Sequence, residues 1–129
     1  MEDWKLGWAA GIIDGEGAIG IRVDPIPGYT SHSYKLSVRV GNTNPKIINA
    51  LHFTFGGSVQ TLKKDERHNT KTNYCWGLFG DGALIFLKLI EPFIAGKKNE
   101  VALAIRFQEG KCNEEKDLLI EEMKRIRGS

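Results

Sequence analysis

Cysteine is scarce in this sequence, and long apolar runs are absent. The 129 residues include only two cysteines, Cys75 and Cys112, which lie far apart with no metal-ligand spacing. We interpret both as unpaired thiols in a reducing intracellular compartment, either the cytoplasm of a prokaryote or an organelle. No apolar run approaches the roughly 20 residues that cross a bilayer, so we predict no membrane span. The first residues lack the basic start and apolar centre of a signal peptide, so none is expected.

A strong net charge, an internal repeat and a low-complexity linker are also missing. The 18 basic side chains exceed the 16 acidic ones by only two charges, so the total charge does not indicate a nucleic-acid partner. The distribution of the basic residues is more informative than their sum. A chain of 129 residues can bury one core but not two. The sequence therefore predicts a single domain over residues 1–129.

The most distinctive stretch is a helix that leads into a glycine-flanked acidic residue. Residues 3–14 predict this helix, and one of its faces, spaced i, i+3, i+4 and i+7, has almost no side-chain bulk. The members of that face are Gly7, Ala10, Gly11 and Asp14. Small residues at this spacing allow another backbone to approach closely. Gly15 and Gly17 then flank Glu16, so the sequence places an acidic side chain at the foot of a tightly packed helix.

The rest of the chain predicts two hairpins separated by a helix, followed by further helices. Alternating apolar and polar residues predict strands over residues 18–24, 33–41, 58–64 and 73–79. Asn44 and Pro45 are typical of an N-cap and a first helical position. Later helices are predicted over residues 81–90, 99–109 and 113–127. This order predicts an α+β fold, in which a four-stranded antiparallel sheet carries helices on one face.

The other face of the predicted sheet is polar. We place on it Arg22, Lys35, Ser37, Arg39, Gln60 and the aromatic residues Tyr74 or Trp76. Basic, hydroxyl, amide and aromatic groups together suit a groove of duplex DNA. A basic hairpin tip, which begins at Lys63 and runs to residue 71, could extend along the phosphate backbone. The alternation alone does not decide the matter, because every half-buried antiparallel sheet has a solvated face.

Residues 9–17, Ala-Ala-Gly-Ile-Ile-Asp-Gly-Glu-Gly, resemble the signature of the LAGLIDADG homing endonucleases. A strand follows the motif, as the family requires, and the order of predicted elements also agrees. Pro92-Phe93 and Lys97-Lys98 extend the resemblance, which covers residues 4–110. It implies the α-β-β-α-β-β-α homing-endonuclease fold with a DNA-binding sheet. It further implies a site-specific, double-strand DNA endonuclease encoded by a mobile intron.

The resemblance also implies roles for the residues of the motif. In the family, motif helices pack against each other at a twofold axis, and the final acidic residue binds divalent cations at their base. The corresponding interface residues here are Gly7, Ala10, Gly11 and Asp14, with Asp14 serving as a helix-end or interface group rather than a metal ligand. Glu16 corresponds to the metal-binding acid, which is most often Asp in the family, and the carbonyl of Gly15 is a second candidate ligand. The implied cation is Mg²⁺, with Mn²⁺ or Ca²⁺ able to substitute in binding.

Two residues outside the motif match further catalytic positions of the family. Asn44 matches a polar residue that helps to organise the attacking water, although its role as a helix N-cap is an equal alternative. Lys97 matches a lysine that stabilises developing negative charge, with Lys98 as the second choice. Without the resemblance, two adjacent lysines before a helix would be assigned to a solvated loop.

One motif per chain implies half of an active site per chain. We therefore expect a homodimer that recognises a long palindromic or pseudo-palindromic site and cuts both strands to leave 3′ overhangs, as the family does. Two alternatives remain on the same fold. One is an RNA-binding intron maturase, and the other is a DNA-binding regulator that does not cleave. An intact Glu16 with Lys97 available favours the endonuclease.

Overall fold

The order of helices and strands follows the prediction. The computed structural model describes residues 2–25, 28, 32–62, 72–109, 121–122 and 125–126. Its elements are α1 (Asp3–Glu16), β1 (Gly17–Pro25), β2 (His32–Asn42), α2 (Pro45–Phe55), β3 (Ser58–Leu62), β4 (Asn73–Phe79), α3 (Gly80–Ile90), a 3₁₀ turn (Glu91–Phe93) and α4 (Lys98–Glu109). The described residues do not include Lys63 and the rest of the predicted hairpin tip, Cys112, or most of the predicted helix 113–127.

The four strands form one antiparallel sheet in the order β1-β2-β4-β3, which confirms the predicted α+β architecture. The register places Ile19 opposite Val38, and Trp76 opposite Val40 on one side and Val59 on the other. These side chains belong to one face of the sheet, and the helices supply the remainder of the core on that face. No helix among the described residues is long and apolar enough to cross a membrane.

Helix α1 turns directly into β1, and Gly17 makes the turn possible. A Cβ atom at Gly17 would lie 2.8 Å from both the Cα and the carbonyl oxygen of Ile13, which is closer than a side chain tolerates. The Gly17 N–H also donates to the Ile13 carbonyl and so ends the helix. The helix extends two residues beyond the predicted end, and Glu16 is therefore its last residue. This geometry fixes the backbone that carries Glu16.

Helix α2 begins at the residues that the sequence indicated and ends before Gly56. The Asn44 side chain caps the first turn by accepting from the Lys46 N–H, and Gly56 ends the helix with a φ of 75°. Trp76 is fully buried beneath this helix, and its Nε1 donates to the Gly56 carbonyl at 2.7 Å. The edges of its ring contact Phe86 of α3, so Trp76 joins the sheet to two helices.

Replacing Trp76 with Phe is expected to lower the free energy of unfolding by about 2–4 kcal/mol. The smaller ring leaves a cavity and removes the donor for the Gly56 carbonyl. Urea denaturation measures the change. Phe53→Leu is the control, since Phe53 is 92% exposed, and it should shift the value by no more than about 0.5 kcal/mol. Equal effects of the two substitutions would contradict the placement of Trp76.

Candidate functional site

Glu16 is exposed at the C-terminal end of α1 and is tethered to the end of β2. Its Oε2 accepts a hydrogen bond from Nδ2 of Asn42 at 2.7 Å. Asn42 is the last residue of β2, and its Oδ1 accepts from the backbone N–H of Asn44 at 2.8 Å. Glu16 and Asn44, which the sequence analysis assigned to one site, are therefore joined through Asn42.

Asn44 serves as the N-cap of α2, which confirms its predicted structural role. Its Oδ1 accepts from the backbone N–H of Lys46 at 3.0 Å, and its side chain is exposed. The tether to the Glu16 carboxylate comes from Asn42 instead. A role for Asn44 in organising water stays a prediction.

Asp14 binds the segment that connects the 3₁₀ turn to α4. Its two carboxylate oxygens accept the backbone N–H groups of Ala95, Gly96 and Lys97 at distances of 2.7, 3.0 and 2.9 Å. Burial by itself would raise the pKa of Asp14, but these three donors and the charge of Lys97 outweigh it and hold the pKa below its ordinary value. Asp14 therefore anchors a loop of its own chain, which accounts for an acidic residue near a helix C-terminus.

Lys97 lies at the same end of α1. Its ammonium donates to the carbonyl oxygens of Ile13 and Gly17 at 3.0 and 2.6 Å. A cation here complements the negative end of the helix dipole, and its bond to the Ile13 carbonyl adds to the one that the Gly17 N–H already makes. An ammonium group has three N–H donors, and these two carbonyls account for two of them. Of the two candidate lysines, Lys97 is thus the one held beside the end of α1, whereas Lys98 begins α4 with an exposed side chain.

Replacing Asp14 with Asn is expected to lower the free energy of unfolding by about 1–2 kcal/mol at pH 7, because an amide supplies one acceptor where the loop offers three donors. A carboxyl group whose pKa is lowered by folding stabilises the protein at pH values above its pKa in the unfolded chain, which is near 4. That contribution is lost as the pH falls through the pKa of the group in the folded protein. The difference in the free energy of unfolding between wild type and variant, measured by urea denaturation, should therefore shrink as the pH is lowered from 5 to 3. Asp3→Asn is the control at the exposed first turn. A difference that is unchanged over this range would contradict the role of Asp14.

The open face of the sheet carries most of the polar side chains that the sequence analysis assigned to DNA. Lys35, Arg39 and Gln60 are exposed, and Ser37 is half-buried beside them. In the backbone register of β1 and β2, Arg22 pairs with Lys35. The face also carries two residues that the sequence analysis did not assign to it. These residues are Phe79, whose ring centroid lies 5.5 Å from the Lys35 Nζ, and Cys75, whose Sγ lies 3.6 Å from the Arg39 guanidinium.

The predicted assignment of Tyr74 and Trp76 to that face is wrong. Both point to the helical side of the sheet, where Trp76 is fully buried and Tyr74 is half-buried against the core. Their positions follow from the register, which pairs Trp76 with the buried Val40 of β2. The alternation of β4 therefore presents Cys75, Gly77 and Phe79 on the open face.

The fold is shared with solved nucleases, although the sequence is distant from them. Neither a protein-family model nor a curated protein matches the sequence. The homing endonuclease I-CvuI, in complex with its target in the presence of Ca, gives a TM-score of 0.73 at 19% identity, covering 93% of this chain and 80% of that one. The archaeal intron-encoded homing endonuclease I-Vdi141I, complexed with DNA, gives 0.78 at 16% identity, covering 97% and 85%. The LAGLIDADG homing endonuclease I-SmaMI, bound to cleaved DNA, gives 0.63 at 16% identity, covering 95% of this chain but 41% of that one.

The chain has the LAGLIDADG homing endonuclease fold. Within that fold, the helix face proposed for an interface differs from the prediction. Ala10 is fully buried in the core of its own chain, and a Cβ at Gly7 would lie 3.9 Å from the Phe93 ring. Together with Asp14, which bonds its own loop, these residues face inward, so their assignment to a dimer interface is corrected. Gly7 and Ala10 serve the packing of α1 within the chain.

The exposed face of the LAGLIDADG helix is rotated about the helix axis by roughly one residue position from the predicted interface face. Trp4 and Trp8 are 66% and 36% exposed, and a Cβ at Gly11 or Gly15 would meet nothing within 4 Å. We call these four residues the exposed stripe of α1. Their spacing of four, three and four residues keeps them on one side of the helix. Gly11 is thus the predicted interface residue that the structure leaves accessible.

The donor set at the foot of the LAGLIDADG helix suits a hard cation. Glu16 supplies an exposed carboxylate, and the exposed Gly15 supplies a neighbouring carbonyl, both of which are oxygen donors of the kind that Mg²⁺ prefers. Among the described residues no group of three or more histidine, cysteine, aspartate or glutamate side chains could hold a metal ion. Glu16 and Gly15 could supply two oxygen donors of a coordination sphere.

Proposed function

We propose that this chain is a site-specific DNA endonuclease that hydrolyses phosphodiester bonds with a divalent metal ion and acts as a homodimer. The observation that carries the proposal is the position of Glu16. An exposed carboxylate lies at the end of α1, Asn42 bonds one of its oxygens, and the Lys97 ammonium is held at the same helix end. This arrangement occurs on the fold that solved homing endonucleases share with the chain.

The open face of the sheet supports DNA as the substrate. Lys35 and Arg39 can contact phosphates or guanine edges, and Gln60 can pair with adenine in the major groove. The solved structures of I-CvuI and I-Vdi141I are DNA complexes of the same fold. We therefore place the duplex along this face, with the scissile phosphates near the end of α1.

Hydrolysis requires a water oxygen to bond to phosphorus while an ester P–O bond breaks and the leaving oxygen gains a proton. Glu16 and the Gly15 carbonyl would hold Mg²⁺, which neutralises phosphate charge and lowers the pKa of a bound water when it is present. Lys97 has one N–H beyond the two that bond carbonyls, and it is available to stabilise negative charge that develops on phosphate. Asn44 remains a candidate for orienting the water.

The exposed stripe of α1 supports a second copy of this chain as the partner. One chain offers a single carboxylate at the site, and cutting both strands needs two reaction centres. Gly11 and Gly15 would let the two helices approach closely, and Trp4 and Trp8 would add apolar area beside them. The pairing would bring two Glu16 side chains close to one twofold axis. A symmetric dimer is expected to select a pseudo-palindromic site and to leave 3′ overhangs.

Selection of cleaved sites from a random duplex library tests the proposal. The protein is incubated with the library and Mg²⁺, and the new ends are sequenced, with EDTA in place of Mg²⁺ as the control. We expect ends at one site with twofold symmetry and short 3′ overhangs. A protein that leaves every duplex intact while binding structured intron RNA would replace this proposal with the maturase alternative. A protein that binds one duplex tightly without cutting it would favour the regulator.

A further inference from the structure

Phe79 places an aromatic ring on the open face of the sheet, away from the core. It is the last residue of β4 and is 38% exposed. Among the described residues, neither the buried core nor the hydrophobic side chains packed against it include Phe79. Single exposed apolar side chains are common on proteins, so exposure alone assigns no role to the ring. Its role has to follow from its neighbours on the open face.

The ring of Phe79 folds back over Gly77 of its own strand. A Cβ atom at Gly77 would lie 3.3 and 3.4 Å from the Cζ and Cε2 atoms of the ring. Contacts this short are tighter than most side chains show, so a larger residue would push the ring away from the strand. Glycine therefore lets the ring lie close to the sheet while part of it stays exposed.

Two basic residues flank the ring. The ammonium of Lys35 lies 5.5 Å from the ring centroid, within the range of a cation–π contact. Phe79 pairs with Ser37 of β2, which is midway along the strand between Lys35 and Arg39. Arg39 is exposed and pairs with Gly77, over which the ring lies. An apolar surface with a cation on each side suits a polyanion that also carries an apolar group.

We propose that Phe79 is a specificity-determining residue that contacts the methyl group of a thymine, an inference that rests on the proposed binding of duplex DNA to the open face. This methyl is the apolar group that base pairs present in the major groove. The ring has no hydrogen-bond donor or acceptor, so against other base edges it would cover polar groups without bonding them. Phosphate contacts from Lys35 and Arg39 would fix the register, and the ring would add the base preference.

Replacing thymine with deoxyuridine removes the methyl group and leaves the hydrogen bonds of the base pair in place. Duplexes that the protein binds are first selected from a random library in Ca²⁺, and each thymine is then replaced in both half-sites at once. Fluorescence anisotropy in Ca²⁺ measures affinity without cleavage. We expect the replacement at one symmetric pair to weaken binding about 10- to 20-fold, since each lost methyl contact is worth about fourfold.

Phe79→Ala is expected to abolish the response to that replacement. The variant should bind the thymine and deoxyuridine duplexes with affinities within about twofold of each other, because the apolar surface is gone. Phe79→Leu keeps an apolar contact and should retain part of the response. Phe53→Ala, at a position of α2 that is 92% exposed, is the matched control and should respond like wild type.

Photocrosslinking tests the contact in the wild-type protein. Iododeoxyuridine carries iodine where thymine has its methyl group, and near-ultraviolet light couples it to an aromatic ring in contact with it. We expect the crosslink at the sensitive thymine to map to Phe79 by mass spectrometry. Tight binding with no deoxyuridine-sensitive pair, an undiminished response in Phe79→Ala, or a crosslink that maps elsewhere would overturn the proposal.

These measurements separate the contact from the endonuclease function, because none of them requires cleavage. A protein that shows the thymine dependence but never cuts its selected site would contradict the endonuclease and leave the contact standing. A protein that selects no duplex, or that binds only RNA, whose uracil lacks the methyl group, would contradict both.

Discussion

Glu16→Gln is expected to reduce double-strand cleavage by about 10³-fold or more while DNA affinity changes by less than about threefold. The two side chains have the same length, and the Gln carbonyl can still accept from Asn42. The substitution therefore removes the negative charge and little else. A neutral amide is a poor ligand for Mg²⁺, whereas the open face of the sheet that would bind DNA is untouched.

The cleavage rate of the variant is best measured on a supercoiled plasmid that carries the selected site. Its DNA affinity is followed separately by fluorescence anisotropy in Ca²⁺. Glu121→Gln, at an exposed position far along the chain, is the control for a lost carboxylate. It should cut like wild type. Undiminished cutting by Glu16→Gln would remove Glu16 from the reaction, and parallel loss of cutting and binding would indicate that Glu16 supports DNA contact rather than chemistry.

Gly11→Leu is expected to weaken dimerisation by at least about 30-fold and to abolish double-strand cleavage at matched protein concentration. Each of the two helices would carry the added bulk, and overpacking costs about 1–3 kcal/mol per site. The fold of the single chain should survive, because a Cβ at Gly11 meets nothing within 4 Å. Replacing glycine with leucine also stabilises a helix, by somewhat less than about 1 kcal/mol. The monomer of the variant should therefore be at least as stable as wild type.

Sedimentation on and off DNA, with thermal unfolding of the same samples, separates these effects. Gly82→Leu is a matched control, since Gly82 is exposed on α3 and its added Cβ also meets nothing within 4 Å. The control should remain dimeric and active. A Gly11→Leu protein that sediments as a dimer and cuts DNA would mean that the exposed stripe of α1 is not the interface.

Much of the fold could be predicted because local patterns determine it. Residues 73–79 begin and end as a strand where expected, and Asn44 with Pro45 starts α2 as predicted. The sequence also predicted Glu16 at the foot of α1, because glycine is a poor helix former and flanks this residue on both sides. Helix α1 ends two residues beyond the predicted end, because it continues through Gly15 and stops only where Gly17 turns the chain into β1.

The failures have a physical cause as well. In β4 both faces carry apolar or small residues, so the alternation of Tyr74 and Trp76 with Cys75 and Gly77 did not reveal which set is buried. The partner strand β2 decides it, because Val40, which pairs with Trp76, is buried in the core. On α1, small residues pack equally well against the chain itself or against a second copy, and spacing alone does not distinguish the two.

Asn42 was missed because its contact with Glu16 is nonlocal. The two residues are 26 positions apart, and the bond exists only once β2 lies beside the end of α1. The sequence did contain a weak signal. Asparagines on both sides of Thr43 are typical of a turn in which an asparagine side chain bonds the backbone two residues later. In this protein, that bond joins the Asn42 side chain to the Asn44 N–H.

Single-turnover cleavage of a plasmid carrying the selected site tests the central claim most directly. The protein is titrated against a fixed amount of DNA in Mg²⁺, and linear product is counted against protein chains. We predict that linear DNA reaches its maximum at two chains per site, that it requires Mg²⁺, and that Glu16→Gln forms none. Saturation at one chain per site, or linear product that persists in EDTA, would contradict a metal-dependent centre shared by two copies of this chain.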